Sequence, residues 1–210
     1  MKWHELLRIV LKEPVFTSAM LQAGQVSRER LRLQLSRWTE AGKILQLRRG
    51  VFVLAHPYRS IEPHPFLLAN TLRKNSYVSL QSALAYHSLI PEYVPVITSI
   101  TTSRPEELPT DLGVFAFRHI KMGYFFGYLR TEVAPGQKAF LATPEKALLD
   151  LVYGTRGGER TESLRELRLQ NTDTIDLIRL RRIAERYAKP KISRAANRIV
   201  ALIEEELNVT

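Results

Sequence analysis

The stretch over residues 15–54 constrains the fold most, because helix-start and helix-stop signals follow one another closely there. A short helix opened by a hydroxyl cap is predicted over 16–21, and a glycine-containing turn over 23–25. Ser27 is then expected to cap a longer helix over 28–41, which a glycine ends. The segment therefore predicts two helices joined by a tight turn.

Two short strands are predicted after this helix pair, over 44–47 and 51–54. They stand on either side of Arg48 and Arg49, which predicts a β-hairpin with two arginines at its tip. An amphipathic helix is expected earlier, over 3–12. Helix, short helix, turn, helix and basic hairpin follow one another in this order in a winged helix-turn-helix, so we predict that unit at the N-terminus.

Two faces of the predicted 28–41 helix differ in character. Its core-facing stripe repeats at helical spacing: Leu31, Leu35 and Trp38. A second stripe carries Arg30, Leu33 and Arg37. Arginine pairs with guanine edges or phosphates and leucine contacts thymine methyl groups, so this stripe suits a DNA major groove. The alternative is a solvated, arginine-rich helix face.

The predicted DNA contacts come from both helices and the hairpin. They are Thr17, Ser27, Arg28, Arg30, Leu33, Gln34, Arg37, Arg48 and Arg49. The expected partner is double-stranded DNA. Because no heptad repeat is long enough for a coiled coil, we expect a monomer that pairs on the adjacent half-sites of an inverted repeat.

The net charge also favours a polyanionic partner. The 210 residues include 31 lysines and arginines against 21 acids, a net charge of +10. Residues 1–62 hold 11 basic and 5 acidic side chains, so more than half of this excess lies with the predicted winged helix. Charge alone does not separate nucleic acid from an acidic protein or lipid surface.

The chain contains no cysteine, which excludes disulfides and thiolate metal sites. No apolar run reaches the roughly 18 to 20 residues that span a bilayer. The N-terminal residues lack the apolar core and cleavage site of a signal peptide. These features predict a cytoplasmic protein with no membrane partner.

A segment with three prolines and no apolar periodicity, residues 56–65, marks the predicted domain boundary. The sequence thus predicts a winged-helix domain over 1–55, a semi-rigid linker over 56–65 and a second domain over 66–210. In the second domain, helical and extended patterns alternate. The predicted fold class is α+β, a winged helix-turn-helix followed by a mixed α/β domain.

The elements of the second domain are predicted as follows. Strands are expected over 76–78, 96–102, 113–120, 124–133 and 140–142. Helices are expected over 66–72, 79–87, 143–152, 164–169, 176–187 and 193–207, the second of them capped by Ser79.

Phosphate-loop, dinucleotide-binding and hydrolase-elbow motifs are absent from the sequence. A nuclease-like site would depend on Asp111, Glu132, Glu145, Lys146 and Asp150, which are residue types that hold magnesium and polarise a phosphate. Glu145 and Lys146 are adjacent and so point to different faces, while Lys146 and Asp150 have the spacing of a helical ion pair. We therefore expect structural roles and no catalytic residue.

The histidines do not form a ligand cluster in the sequence. His56 and His64 flank the linker, but no carboxylate or thiolate partner set accompanies them. We expect no metal site and no cofactor.

Several segments carry a resemblance to a known family. They are Arg48-Arg49-Gly50-Val51-Phe52, Tyr77-Val78-Ser79-Leu80-Gln81-Ser82-Ala83-Leu84 with His87 and Leu89-Ile90-Pro91-Glu92, Thr102-Ser103-Arg104, Gly113-Val114-Phe115, and Ala142-Thr143-Pro144-Glu145-Lys146-Ala147-Leu148-Leu149-Asp150. In order and spacing, over residues 17–171, the chain resembles the AbiEi antitoxins of bacterial type IV toxin–antitoxin (abortive infection) systems. One departure is Ser88, which stands where a glycine is expected after the histidine.

The resemblance implies a function for each domain. It implies a winged helix that binds and represses the protein's own promoter, and an antitoxin domain over 66–210 that counters a co-encoded nucleotidyltransferase-like toxin. Such systems serve in phage defence.

The second domain also carries a basic stripe at helical spacing, Arg179, Arg182 and Arg186. It is expected to face the toxin or a nucleic acid, with a solvated face as the alternative. Apolar residues are expected on a separate, buried side: Ile175, Ile178, Ile183 and Tyr187.

Two other functions fit the residues. One is a winged-helix transcription factor whose second domain senses a small ligand. The other is a nucleic-acid enzyme that uses the winged helix for targeting.

Overall fold

The computed structural model describes residues 1–22 and 27–209, with side chains described up to residue 205. The protein is of mixed α and β composition, as predicted. The turn predicted over 23–25 lies outside the described residues. None of the described helices combines the length and apolar character needed to cross a membrane.

The N-terminal part contains helices and a small sheet. Its elements are α1 (Trp3–Val10), β1 (Phe16–Thr17), α2 (Ser18–Leu21), α3 (Arg28–Glu40), β2 (Ile44–Arg48) and β3 (Val51–Leu54). The three strands are antiparallel in the order β1-β3-β2. The predictions of α1, α3 and the β-hairpin are confirmed.

The helix predicted over 16–21 is wrong in its first two residues. Phe16 and Thr17 pair with Phe52 and Val51 in β3, and the rings of Phe16 and Phe52 stack with centroids 5.8 Å apart. Burial of Phe16 against β3 outweighs the local helical pattern. Thr17 nevertheless acts as the predicted cap, since its Oγ1 accepts a hydrogen bond from the amide of Met20 at 3.3 Å.

The small sheet is buried on both faces. One face packs with α1 and α3 in an N-terminal core that includes Phe16, Ile44, Phe52 and Leu54. The other face contributes Val15, Leu47, Val51 and Val53 to the larger core of the molecule. The hairpin therefore joins the N-terminal part to the rest of the chain.

Hydrogen bonds attach the proline-rich segment 56–65 through its middle and its C-terminal half. Ser60 donates to the carbonyl of Leu11 at 2.8 Å, close to the end of α1. Gln137 donates to the carbonyl of Glu62 at 2.9 Å and accepts from the amide of His64 at 2.7 Å. The segment is thus attached to both parts of the molecule.

The remaining chain forms a six-stranded mixed sheet with helices. The strands are β4 (Ser76–Val78), β5 (Val96–Thr101), β6 (Glu106–Thr110), β7 (Gly113–His119), β8 (Tyr128–Ala134) and β9 (Gln137–Ala142). The helices are α4 (Pro65–Leu72), α5 (Leu80–Tyr86), α6 (Pro144–Gly154), α7 (Thr161–Arg165), α8 (Leu177–Tyr187) and α9 (Pro190–Val209). The strand order is β6-β7-β5-β4-β9-β8, with β5–β7 and β4–β9 parallel and the other pairs antiparallel.

The prediction omitted strand β6 and placed other elements with shifted ends. The β6 sequence contains two acids and Pro109, which disfavour a strand locally. β6 lies at the edge of the sheet, where a proline is tolerated, and it pairs with β7 along its length. Tyr124, predicted to begin a strand, instead ends a 3₁₀ turn before β8.

Two side-chain predictions in the second part are wrong. Ser79 precedes α5 but its hydroxyl accepts no capping bond, and it donates to Asp150. Ile178 is 72% exposed rather than buried. The buried face of α8 begins at Leu180 and continues through Ile183 and Tyr187 at helical spacing, which leaves Ile178 outside it.

Candidate nucleic-acid interface

Helix α3 is fixed in the small core by one side. Ser27 caps it by accepting a hydrogen bond from the amide of Arg30 at 3.3 Å, as predicted. Leu31, Leu35 and Trp38 are buried, which confirms the predicted core stripe. The opposite face of α3 lies on the surface.

The exposed face of α3 presents arginines on both sides of a leucine. Leu33 is 55% exposed, and Arg30 and Arg37 flank it on one side at helical spacing. Arg28 and Arg32 are exposed on the other flank, toward the β2–β3 hairpin. Two exposed acids, Glu29 and Glu40, lie between Leu33 and this second pair of arginines, so the face is most strongly basic on the side of Arg30 and Arg37.

A groove of about 480 Å³ separates α3 from the hairpin and α2. The polar and charged residues that line it are Ser18, Gln22, Arg28, Arg32, Ser36, Gln46 and Arg49. Sequence reasoning missed Arg32. Its signal was the spacing to Arg28, since residues four apart share one helix face.

The hairpin tip carries one outward arginine rather than the two predicted. Arg49 is exposed at the turn. Arg48 instead turns toward the second part, where its Nη1 donates to Glu106 Oε2 at 3.0 Å and to the carbonyl of Leu72 at 3.3 Å. The β2–β3 register shifts between Gln46 and Arg48, and this irregularity accompanies the change in direction.

The hairpin tip also contacts the start of α2. The amide of Ser18 donates to the carbonyl of Gly50 at 2.9 Å. Gly50 has a φ of +80°, and a Cβ there would lie 3.0 Å from Ser18 Oγ. Tip and α2 are thereby held as one surface beside α3.

Two further predicted DNA contacts, Thr17 and Gln34, are less exposed. Thr17 is half-buried, and its hydroxyl oxygen is engaged as the α2 cap. Gln34 is half-buried at the margin of α3. These two side chains present less surface to a ligand than the arginines do.

The basic stripe of α8 lies on the surface, with two of its arginines engaged. Arg179, Arg182 and Arg186 are exposed. The Arg179 guanidinium lies 3.6 Å from Asp176 and 3.8 Å from Glu145, and that of Arg186 lies 3.7 Å from the Phe126 ring centroid.

The acids considered for catalysis are spread across the sheet. Asp111 lies in the turn after β6, and Glu132 lies in β8 at the opposite sheet edge. Glu145 is buried, and it accepts from the amide of Asp176 at 3.0 Å. Within the described part of the chain, no three His, Asp or Glu side chains are grouped to hold a metal ion.

Lys146 and Asp150 form a buried ion pair that three hydroxyl groups complete. Asp150 accepts from Tyr77 at 2.9 Å and from Ser79 at 2.7 Å, and it also pairs with Lys146 and Tyr187. Lys146 donates to the Tyr187 hydroxyl at 2.6 Å. The helical spacing indicated the pair, but the contributions of β4 and α8 depend on the fold.

The environment of this pair changes three pKa values. Burial lowers the pKa of Lys146, although Asp150 opposes the change. Burial, followed by the charge of Asp150, raises the pKa of Tyr77 and of Tyr187 well above the ordinary range. The pair connects α6, β4 and α8 in the interior, where it suits a structural role.

In comparisons with known proteins, no protein-family model matches the chain, and no curated protein is significantly similar to it. Interpretation of the α3 surface therefore depends on its geometry and charge.

Proposed function

We propose that residues 1–55 form a winged helix-turn-helix that binds double-stranded DNA. The proposal is supported by the element order α1, β1, α2, α3, β2, β3, in which β1 pairs beside β3. The observation that carries it is the exposed face of α3, where Leu33 adjoins Arg30 and Arg37. The local charge agrees with it, since residues 1–62 hold 11 basic and 5 acidic side chains.

The geometry suggests how DNA would dock. With α3 in the major groove, Leu33 contacts bases, and Arg30 and Arg37 reach base edges or phosphates on one side. Arg28 and Arg32 face phosphates on the hairpin side. Arg49 contacts the backbone beyond the groove, while Arg48 positions the hairpin by its bond to Glu106.

The biological role proposed is that of an antitoxin which represses its own operon. The support is the resemblance to the AbiEi antitoxins, and two of the segments that carry it, residues 77–84 and 142–150, meet in the second domain. Tyr77 and Ser79 of one segment contact Asp150 of the other, beside Lys146. These residues share one interior network of the second domain. That domain would counter a co-encoded nucleotidyltransferase-like toxin, without catalysis of its own.

A ligand-sensing regulator is the second candidate, and one cavity favours it. The cavity has a volume of about 370 Å³ between α5, α6 and α7. Its lining combines apolar residues such as Ile90 and Leu167 with the polar Gln81 and Glu166. A small molecule bound there would contact three helices of the second domain.

Titration of the full chain against duplexes tests the DNA-binding proposal. The probes are a duplex from the DNA upstream of the protein's gene (the upstream region) and a scrambled duplex, each at several salt concentrations. The double variant Arg30→Ala with Arg37→Ala should bind the upstream region more weakly. The difference in binding free energy between the upstream region and the scrambled duplex should shrink by roughly 1 to 3 kcal/mol per lost base contact. Arg118→Ala, an exposed arginine on β7, is the matched control and should bind as the parent does. Equal binding by the α3 variant would refute the proposed surface.

Co-expression with the neighbouring gene tests the antitoxin role. The full chain should restore growth when that gene encodes a nucleotidyltransferase-like toxin. The α3 variant should still restore growth but lose promoter repression. Absence of protection by the intact protein would favour the ligand-sensing alternative.

A further inference from the structure

A second surface lies on the six-stranded sheet, and its lining shares no residue with the groove beside α3. It is a cleft of about 360 Å³ whose lining includes Lys74, Phe125, Tyr128 and Phe140. We call it the aromatic–lysine cleft. Phe125 and Tyr128 are half-buried against the large core, whereas Phe140 and Lys74 are exposed.

Phe140 is the most exposed ring of this cleft. It lies in β9, where Gln137, Ala139 and Leu141 are buried and the alternate positions face outward. Strand alternation therefore places Phe140 on the outward face, and it is 43% exposed there. A large apolar ring at such a position offers a surface for stacking.

The rings are held in place from below. Tyr128 stacks on buried Tyr77 with centroids 4.5 Å apart and an interplanar angle of 15°. The Tyr77 hydroxyl is bonded to Asp150, and Phe125 meets Tyr128 edge to face at 5.2 Å. Phe140 contacts Tyr128 edge to face at 5.7 Å. A ligand would thus meet rings that are already ordered.

The charge around Phe140 is positive. Arg130 is the cross-strand partner of Phe140, so both side chains lie on the same face. Lys138 follows on that face two positions away, and Lys74 lies across the cleft. The acid of this face, Glu132, is opposite Lys138 and accepts from the amide of Gly136 at 3.0 Å, toward the β8–β9 turn.

We propose that the aromatic–lysine cleft binds single-stranded nucleic acid. A base stacks on Phe140, and Lys74 and Arg130 contact the phosphates on either side, the combination by which sheet surfaces bind unpaired strands. Paired bases cannot enter, because their faces are covered by neighbouring bases. This site is separate from the duplex-binding face of α3.

Fluorescence anisotropy with labelled oligouridine of about 12 nucleotides tests the site in the full chain. Phe140→Ala should weaken binding at least about tenfold, whereas Phe140→Trp should retain it. Leu129→Ala is the matched control, because Leu129 is 62% exposed on the neighbouring strand but on the opposite sheet face. Lys74→Ala should weaken binding and reduce its salt dependence.

Each variant is also titrated with the duplex that α3 binds. A Phe140→Ala variant that loses oligouridine binding but binds the duplex as the parent does supports the cleft. The oligouridine result then tests the cleft, and the duplex result tests the α3 proposal. Oligouridine binding that is absent in the parent, or equal in Phe140→Ala, overturns the inference. If Phe140→Ala does not fold, the other two variants decide. Weaker oligouridine binding by Lys74→Ala together with parental binding by Phe140→Trp supports the cleft. Any other pattern overturns it.

Discussion

Arg48 in the β2–β3 hairpin donates to Glu106 in β6 across a distance of 3.0 Å. This bond joins the small N-terminal sheet to the edge of the six-stranded sheet. Arg73 pairs with the same carboxylate, and Arg48 also reaches the carbonyl of Leu72. The arginine beside the hairpin tip therefore connects two parts of the molecule, while its neighbour Arg49 faces outward.

Single replacements of Arg49 and Arg48 should distinguish an arginine that contacts DNA from one that positions the hairpin. Arg49→Ala should weaken duplex binding for all sequences and flatten the salt slope by about 1, as the loss of one phosphate contact does. Arg48→Ala should leave that slope unchanged. Because its ion pair is partly exposed, it should lower the free energy of unfolding by only about 0 to 1 kcal/mol. Duplex titrations and urea unfolding measure both effects, and an equal loss of slope in both variants would contradict the assignment.

The N-terminal part should not be stable alone. A fragment of residues 1–62 would expose Val15, Leu47, Val51 and Val53, which are buried in the larger core of the full chain. We expect this fragment to aggregate or to lack a cooperative thermal transition.

A second fragment serves as the control for this prediction. Leu47→Lys with Val53→Thr makes the exposed sheet face polar and should restore solubility of residues 1–62. A soluble, cooperatively folded parent fragment would show that the shared core is dispensable.

The comparison of sequence and structure shows which signals are local. The stripe of Leu31, Leu35 and Trp38 and the cap at Ser27 depend on neighbours within one helix, and these were predicted correctly. β6 depends on pairing with β7, which compensates for Pro109. The sequence pattern of a single segment does not show which distant strand it pairs with.

The interior network illustrates the same limit. Lys146 and Asp150 are four residues apart, so their pairing was foreseen. Tyr77 and Tyr187, which complete the network, lie 73 and 37 residues from Asp150 in the chain. The direction of Arg48 likewise depends on a register shift in the hairpin and on an acid supplied by β6.

Strongly alkaline pH should destabilise the protein through the buried tyrosines. The folded-state pKa values of Tyr77 and Tyr187 are raised above the ordinary 10.0, so the unfolded chain releases these protons first. Their contribution to stability is complete below pH 10.0 and is lost as the pH rises above it.

Lys146 acts in the opposite direction over a different range. Its folded pKa is lowered from 10.5, so its contribution to stability rises with pH until that value is reached and is constant above it. Above pH 10.5 the contribution of Lys146 no longer changes, so the loss of the tyrosine contribution should appear as a fall in the free energy of unfolding. Tyr187→Phe should reduce that slope, whereas Tyr86→Phe, a more exposed tyrosine on α5, should not. Equal slopes in the two variants would exclude the buried hydroxyl as the cause.

Substitution of Gly127 should reveal how closely Lys146 is packed. Gly127 has a φ of +76°, and a Cβ there would lie 3.0 Å from Cγ and Cδ of Lys146. Gly136 has a similar φ of +71°, but a Cβ there would meet nothing within 4 Å. Both alanine variants incur the left-handed backbone strain of about 1 to 2 kcal/mol, so Gly136→Ala measures that cost by itself.

Gly127→Ala should cost roughly 1 to 3 kcal/mol more, since the buried lysine cannot move away without loss of its bonds to Asp150 and Tyr187. Urea unfolding of the two variants gives the difference directly, and equal destabilisation would show that the Lys146 side chain yields freely.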